Sequence, residues 1–280
     1  SRFSKAVFIT SFYSFLVGTI ALFTVNIFVN HKKFSLSFFS AQDYSYIWFL
    51  GGLMGVVFLT ANILLLPRIG AALTVIVTVT GQMIIGIMID TFGWFEATAQ
   101  PLHPMHVVGV LFLISGIVYM NANKKLAVGG RHSRAWVFLG LFTGMLPPMQ
   151  TAVNSALSQE VDSTIFAAFI SFLMGAVSLF FIALAVHRRL SFSFRAEGTT
   201  LSPWLFSGGV LGATYIGMNI MLMPHLGVTL TMMAAIFGQI IMGLLIDHFG
   251  LFKLPKQPIG RRRIIAVVII VAGILMLQIF

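Results

Sequence analysis

The chain contains no cysteine and very little negative charge. Without cysteine, its 280 residues offer no disulfide framework, thiolate metal site or thiol nucleophile. Seven residues are Asp or Glu, and all charged side chains together make up 9%, where a soluble domain carries about 25%. With 58% hydrophobic residues and a mean hydropathy of +0.99, a soluble fold is excluded. No Ser/His/Asp motif, glycine-rich phosphate loop or His-Glu-x-x-His is present. No polar stretch is long enough to form a nucleotide-hydrolysing domain. The net charge of +10 does not point to nucleic acid, whose readers gather basic residues on one folded face. Here the basic residues sit in short loops between apolar runs, as in membrane proteins.

Those runs set the fold class: an all-α, polytopic membrane protein. Nine stretches approach the ~20 residues needed to cross ~30 Å of hydrocarbon. They are Ala6–Val29, Ile47–Leu66, Gly70–Thr91, Met105–Asn121, Ala135–Leu157, Thr164–Val186, Trp204–Met223, Gly227–Phe249 and Arg263–Phe280. Continuous apolarity favours helices, because open strands would leave backbone groups unsatisfied in lipid.

The chain is also written twice. Gly18, Gly51, Gly52, Gly55, Asn62, Pro67, Gly70, Gly81, Gln82, Asp90 and Gly116 each recur 157 residues later, as do Phe92 and Gly93. Residues 1–125 form the first repeat and 126–280 the second. The second has one helix, Ala135–Leu157, whose counterpart would precede Ser1. The expectation is therefore a ten-helix protein of two five-helix repeats, here lacking its first helix. An odd number of spans per copy inserts the copies in opposite senses, giving inverted repeats.

Charge supports that inversion. Of the 17 Lys and Arg, all but Lys32 and Lys33 fall on one side when the spans alternate. By the positive-inside tendency that side is cytoplasmic, in a bacterial-type inner membrane. The loop from Lys253 to Arg263 is rich in positives, and its counterpart from Glu96 to His106 has none.

Few residues combine polarity with depth. Gln82 and Gln239 lie near the middle of their helices, where an unpartnered amide is costly. Each serves either as interhelical glue or as a substrate contact. Asn62 and Asn219 stand five residues before Pro67 and Pro224. They either cap backbone freed at a helix end or face a site. Gln150 and Asn154 share one helix face just after Pro147 and Pro148, which should kink the span. Asp90 and Asp247 are the acidic residues nearest a helix body. Either they exchange protons, or they serve a structural role at a helix end. Thr74, Thr231, Tyr13 and Tyr215 are weaker candidates. His103 and His106 superficially resemble a metal site, but the proline between them argues against one, and no metal or cofactor is expected.

Taken together, Phe-Leu-x-Gly (Phe15–Gly18, Phe172–Gly175), Gly-Gly-x-x-Gly (Gly51–Gly55, Gly208–Gly212) and Pro-x-x-Gly (Pro67–Gly70, Pro224–Gly227) form a pattern. With Gly-Gln through Asp-x-Phe-Gly (Gly81–Gly93, Gly238–Gly250), and Gln150, Asn154 and Leu157, the chain resembles the YdcZ-type family of the drug/metabolite transporter superfamily. The resemblance implies a small-molecule exporter or permease rather than an enzyme, in a fused two-repeat form. Two bundles would then rock around a midplane site lined by Gln82, Gln239, Gln150 and Asn154. Expected partners are a small-molecule substrate and membrane lipids, with no nucleic acid; a homodimer is not required. The rival readings are a non-transporting scaffold or accessory protein, and an intramembrane enzyme acting on lipid. The absence of a mid-span carboxylate fits a neutral, zwitterionic or anionic cargo better than a hydrophobic cation.

Overall fold

The computed structural model describes residues 2–30, 45, 47–121, 131–187, 195–196, 199–200, 204–251 and 260–279. The loop charges Lys32, Lys33, Lys124, Lys125, Arg188, Arg189, Lys253 and Lys256 lie outside the described residues.

The described residues are helical almost throughout. In chain order the helices are α1 (Arg2–Val29), α2 (Ile47–Phe92), α3 (Pro104–Asn121), α4 (Arg131–Gly144), α5 (Leu146–Glu160), α6 (Thr164–His187), α7 (Trp204–Phe249) and α8 (Arg261–Ile279). A 3-10 turn, Trp94–Glu96, follows α2, and the two-residue strands β1 (Arg195–Ala196) and β2 (Thr199–Thr200) pair antiparallel between α6 and α7.

Six helices among the described residues are long and apolar enough to cross a membrane: α1, α2, α3, α6, α7 and α8. Large apolar side chains such as Phe28, Phe138, Val268 and Ile279 are more than 60% exposed. Lipid, not water, suits such surfaces.

The sequence divides 47–91 and 204–249 into two spans each, restarting at Gly70 and Gly227; the helix runs on through each proline and breaks at those glycines. The interruption comes three residues later, at Gly70 (φ 76°, ψ 161°) in α2 and at Gly227 (φ 77°, ψ 172°) in α7. Proline costs one backbone bond and a bend, whereas a positive φ with extended ψ, open to glycine, stops the helix and restarts it. At about 1.5 Å per residue, each 46-residue run is more than twice as long as a hydrocarbon core of ~30 Å. Thr74 and Thr231 close the restarts alike, donating hydroxyls to the Gly70 and Gly227 carbonyls at 2.8 and 2.6 Å. The span expected over Ala135–Leu157 is broken at Met145 into α4 and α5. Pro147 and Pro148 fall in the first turn of α5, where their missing N–H groups cost least.

The chain divides into two compact units. The first is Ser1–Leu59 with Met149–Pro224; the second is Thr60–Pro148 with His225–Phe280. Both halves of the repeat contribute to each.

In the first unit α1 and α6 run antiparallel. Phe15 stacks on Phe172 with ring centroids 5.0 Å apart, Phe12 meets Phe180, and Asn26 Nδ2 donates to the Ile165 carbonyl at 3.1 Å. Phe172 covers Gly18, and Phe15 covers Gly175. Gly52 lies against the Ser171 carbonyl, and Gly209 against the Ser14 carbonyl. Each contact is the other moved by one repeat. A side chain at any of these glycines would hold the backbones apart.

In the second unit α3 and α8 cross in the same antiparallel way. Gly109 rests on the Gly273 carbonyl and Gly116 on that of Ala266. A small core of Ala61, Leu65, Ile69, Leu73 and Val77 packs against Trp136 and Val137 of α4. Gly140 takes Val77, and Gly144 takes the Thr78 backbone.

Candidate functional site

A cavity of about 350 Å³ opens in the second unit. Its walls are apolar, with Val75 and Val79 from α2, Ile117 and Met120 from α3, and Ile236 and Leu244 from α7. Four polar side chains enter it: Asn121, Gln239, Asp247 and Arg263. That size and mixture match small-molecule sites, which are concave, mostly apolar, and oriented by a few polar groups. Asp247 and Arg263 form an ion pair at 3.0 Å, their side chains 37% and 22% exposed. Asn121 is buried and donates through Nδ2 to the Ile117 carbonyl.

At the other end of α3 and α8 the space among the described side chains is far smaller. Asp90, Thr91, Gln100, His106 and Thr229 surround a space of only about 30 Å³, room for about one water. Asp90 accepts the Val228 N–H on Oδ1 at 2.6 Å and the Thr229 N–H on Oδ2 at 2.7 Å. A carboxylate across the first amides of a restarted helix satisfies orphan donors and faces the positive end of the helix dipole. Gln100 also lies over Gly227, and its N–H bonds the Asp90 carbonyl at 2.7 Å.

Gln239 is exposed and lines the large cavity, while Gln82, also in the second unit, is half-buried. Asn62 is half-buried in the second unit. Asn219, in the first unit, is 4% exposed, and its Nδ2 has no hydrogen-bond partner among the described residues. Gln150 and Asn154 are buried in the first unit, where α5 crosses α2: the Gln150 amide lies on Gly55 and the Asn154 amide on Gly51. Asn154 Nδ2 donates to Ser171 Oγ at 3.1 Å, and its Oδ1 is unpartnered among the described residues. Two amides one turn apart thus dock on two glycines one turn apart.

Sequence reasoning missed Arg263 and Asn121. Arg263 counted only as a loop charge, although it opens the last apolar run and is the repeat counterpart of His106. Asn121 closes its run, with Gln278 as its counterpart.

No curated protein matches the chain. A solved structure described only as "Crystal structure of protein" shares the fold, with a TM-score of 0.70 at 14% identity, covering 97% of this chain and 88% of the other. The family described as "Putative inner membrane exporter, YdcZ" matches residues 1–119 and again 135–276, one match on each side of residues 120–134. With helices fit to cross a membrane and a family match to both halves, the chain belongs to the YdcZ family of the drug/metabolite transporters, a membrane transporter rather than an enzyme.

Proposed function

We propose that this chain exports a small molecule by alternating access, built as inverted repeats with its Lys- and Arg-rich loops in the cytoplasm. The observation that carries the reading is the contrast within the second unit. One end opens into a cavity of about 350 Å³ bearing Gln239 and the Asp247–Arg263 pair, and the repeat-related end is shut over Asp90. A carrier needs such a contrast, since both ends open would leave a channel. The antiparallel crossings of α1 with α6 and α3 with α8, each joining a helix to its repeat counterpart, support the inversion.

Gln239 is the leading cargo contact, because it is the repeated amide that reaches the cavity. Gln82, Asn62 and Asn219 are proposed contacts of lower rank. Gln150 and Asn154 are a separate proposal, resting on the unpartnered Asn154 Oδ1. Asp247 is the proposed proton-coupling group at the open end and Asp90 at the closed end.

The test works with an unidentified cargo. Medium from cells expressing the chain, compared with medium from cells expressing Gln239→Ala at equal membrane abundance, is profiled by mass spectrometry. An exporter enriches one or a few small solutes outside, and the variant loses most of that enrichment. A scaffold or accessory protein leaves the two profiles the same, which would defeat the proposal.

A further inference from the structure

Asp90 and Asp247 occupy the same place in the repeat and hold different partners. Asp90 bridges the first two amides after Gly227. The matching amides after Gly70 belong to Ala71 and Ala72, and Gly70 repeats the backbone of Gly227 almost angle for angle. Yet, the adjoining backbone aside, no described atom reaches within 4 Å of the Cβ position at Gly70, whereas Asp90 Oδ1 lies 3.1 Å from that at Gly227. Asp247 is bound to Arg263 instead. The position matching Arg263 is His106, which shares the small space with Asp90 while Asp90 sits on the amides. Val75, one turn along the same helix from Ala71, lines the cavity that holds Asp247. The helix start after Gly70 and the aspartate are therefore at the same end of the unit.

We propose that Arg263 is the anion-selecting residue of the cavity and that Asp247 is its displaceable counter-ion. A carboxylate or similar anionic group on the cargo takes Arg263. Asp247, released, turns to the Ala71 and Ala72 amides, as Asp90 has done at the closed end. Binding thus closes the end through which cargo entered, and no bond is made or broken beyond hydrogen bonds and ion pairs. A neutral or cationic solute leaves the Asp247–Arg263 pair intact and the cavity open. The inference rests on the cavity being the cargo site, but its test reads conformation and needs no transport.

The chain's lack of cysteine makes that test clean. Val75→Cys reports the open end and Thr91→Cys the closed end, each alkylated by a water-soluble maleimide in purified full-length protein. Arg263→Gln is expected to slow Val75→Cys labelling about fivefold or more, the lower range of coupling between sites, and to speed Thr91→Cys labelling. Arg263→Lys should behave like the parent, and a misfolded variant would speed both. Benzoate should reproduce the Arg263→Gln effect in the parent and add nothing to Arg263→Gln itself, with benzamide and benzamidine inert. Labelling indifferent to Arg263→Gln, or to benzoate, overturns the proposal. So does benzoate protection that persists without Arg263. Mass-spectrometric export failing while labelling responds would strike the transport reading and spare this one.

Discussion

Phe15 and Phe172, 157 residues apart and equivalent in the repeat, stack at 5.0 Å, and each covers the glycine that the other's segment supplies. Sequence duplication is thereby turned into a self-complementary contact. A change on one side of such a pair has a matched change on the other, which makes the packing open to test.

Gly209→Val is expected to destabilise the protein by about 1–3 kcal/mol, the usual cost of overpacking. A Cβ there would meet the Ser14 carbonyl and the Gly18 backbone. Gly52→Val should behave alike, against Ser171 and Gly175. Gly217→Val, where a Cβ meets no neighbouring element within 4 Å among the described residues, is the uncrowded control. Thermal unfolding in one detergent compares all three.

Gly51 and Asn154 should be strongly coupled. Gly51→Ala forces the Asn154 amide aside, whereas Asn154→Ala removes the obstruction. In a double-mutant cycle the pair should show an interaction of about 1 kcal/mol or more, with the double variant more stable than the sum of the singles. Additive effects would show that α5 does not pack on α2 through this contact.

Asp90→Ala should cost about 1–2 kcal/mol, in the range of a lost helix cap, because two amides lose their acceptor. Asp247→Ala should cost less, since Asp247 is itself 37% exposed and gives up one ion pair rather than two helix-start amides. Equal losses in denaturation would contradict the different partners of the two aspartates.

Arg68 sits 4.2 Å over the ring of Trp136. Arg68→Ala should lose about 0.5–1 kcal/mol, and Trp136→Leu should abolish the difference between Arg68 and alanine. Unfolding midpoints of the four proteins decide it.

Much of this was legible in the chain because membrane helices announce themselves locally. Apolar length located the six helices fit to cross a membrane among the described residues, though not the break at Met145, and small residues at four-residue spacing marked close crossings such as Gly51–Gly55 and Gly140–Gly144. The Pro-x-x-Gly pairs placed the restarts at Gly70 and Gly227, where the positive φ lies, but not that the helix continues through Pro67 and Pro224 up to them. The role of Asp90 was half visible. A helix-end aspartate could be read, but its partners lie 138 and 139 residues away. Periodicity carries no information on such pairs. Nor could the repeat reveal that Asp247 differs from Asp90: the distinction lies in His106 against Arg263, residues that count only as loop positions until the helices are packed. The buried seats of Gln150 and Asn154 were likewise hidden, since a sequence shows that two amides share a face but not that glycines receive them.

The proposed head-to-tail arrangement of the two copies across the membrane can be read from one labelling experiment. His103 and Gly260 are equivalent positions in the repeat, each just before a helix, and the chain has no background cysteine. His103→Cys and Gly260→Cys are treated separately in intact cells stripped of their outer membrane, with a maleimide that does not cross the inner one. His103→Cys should label at once, and Gly260→Cys only after the membrane is permeabilised. Labelling of both from the same side would rule out inverted repeats.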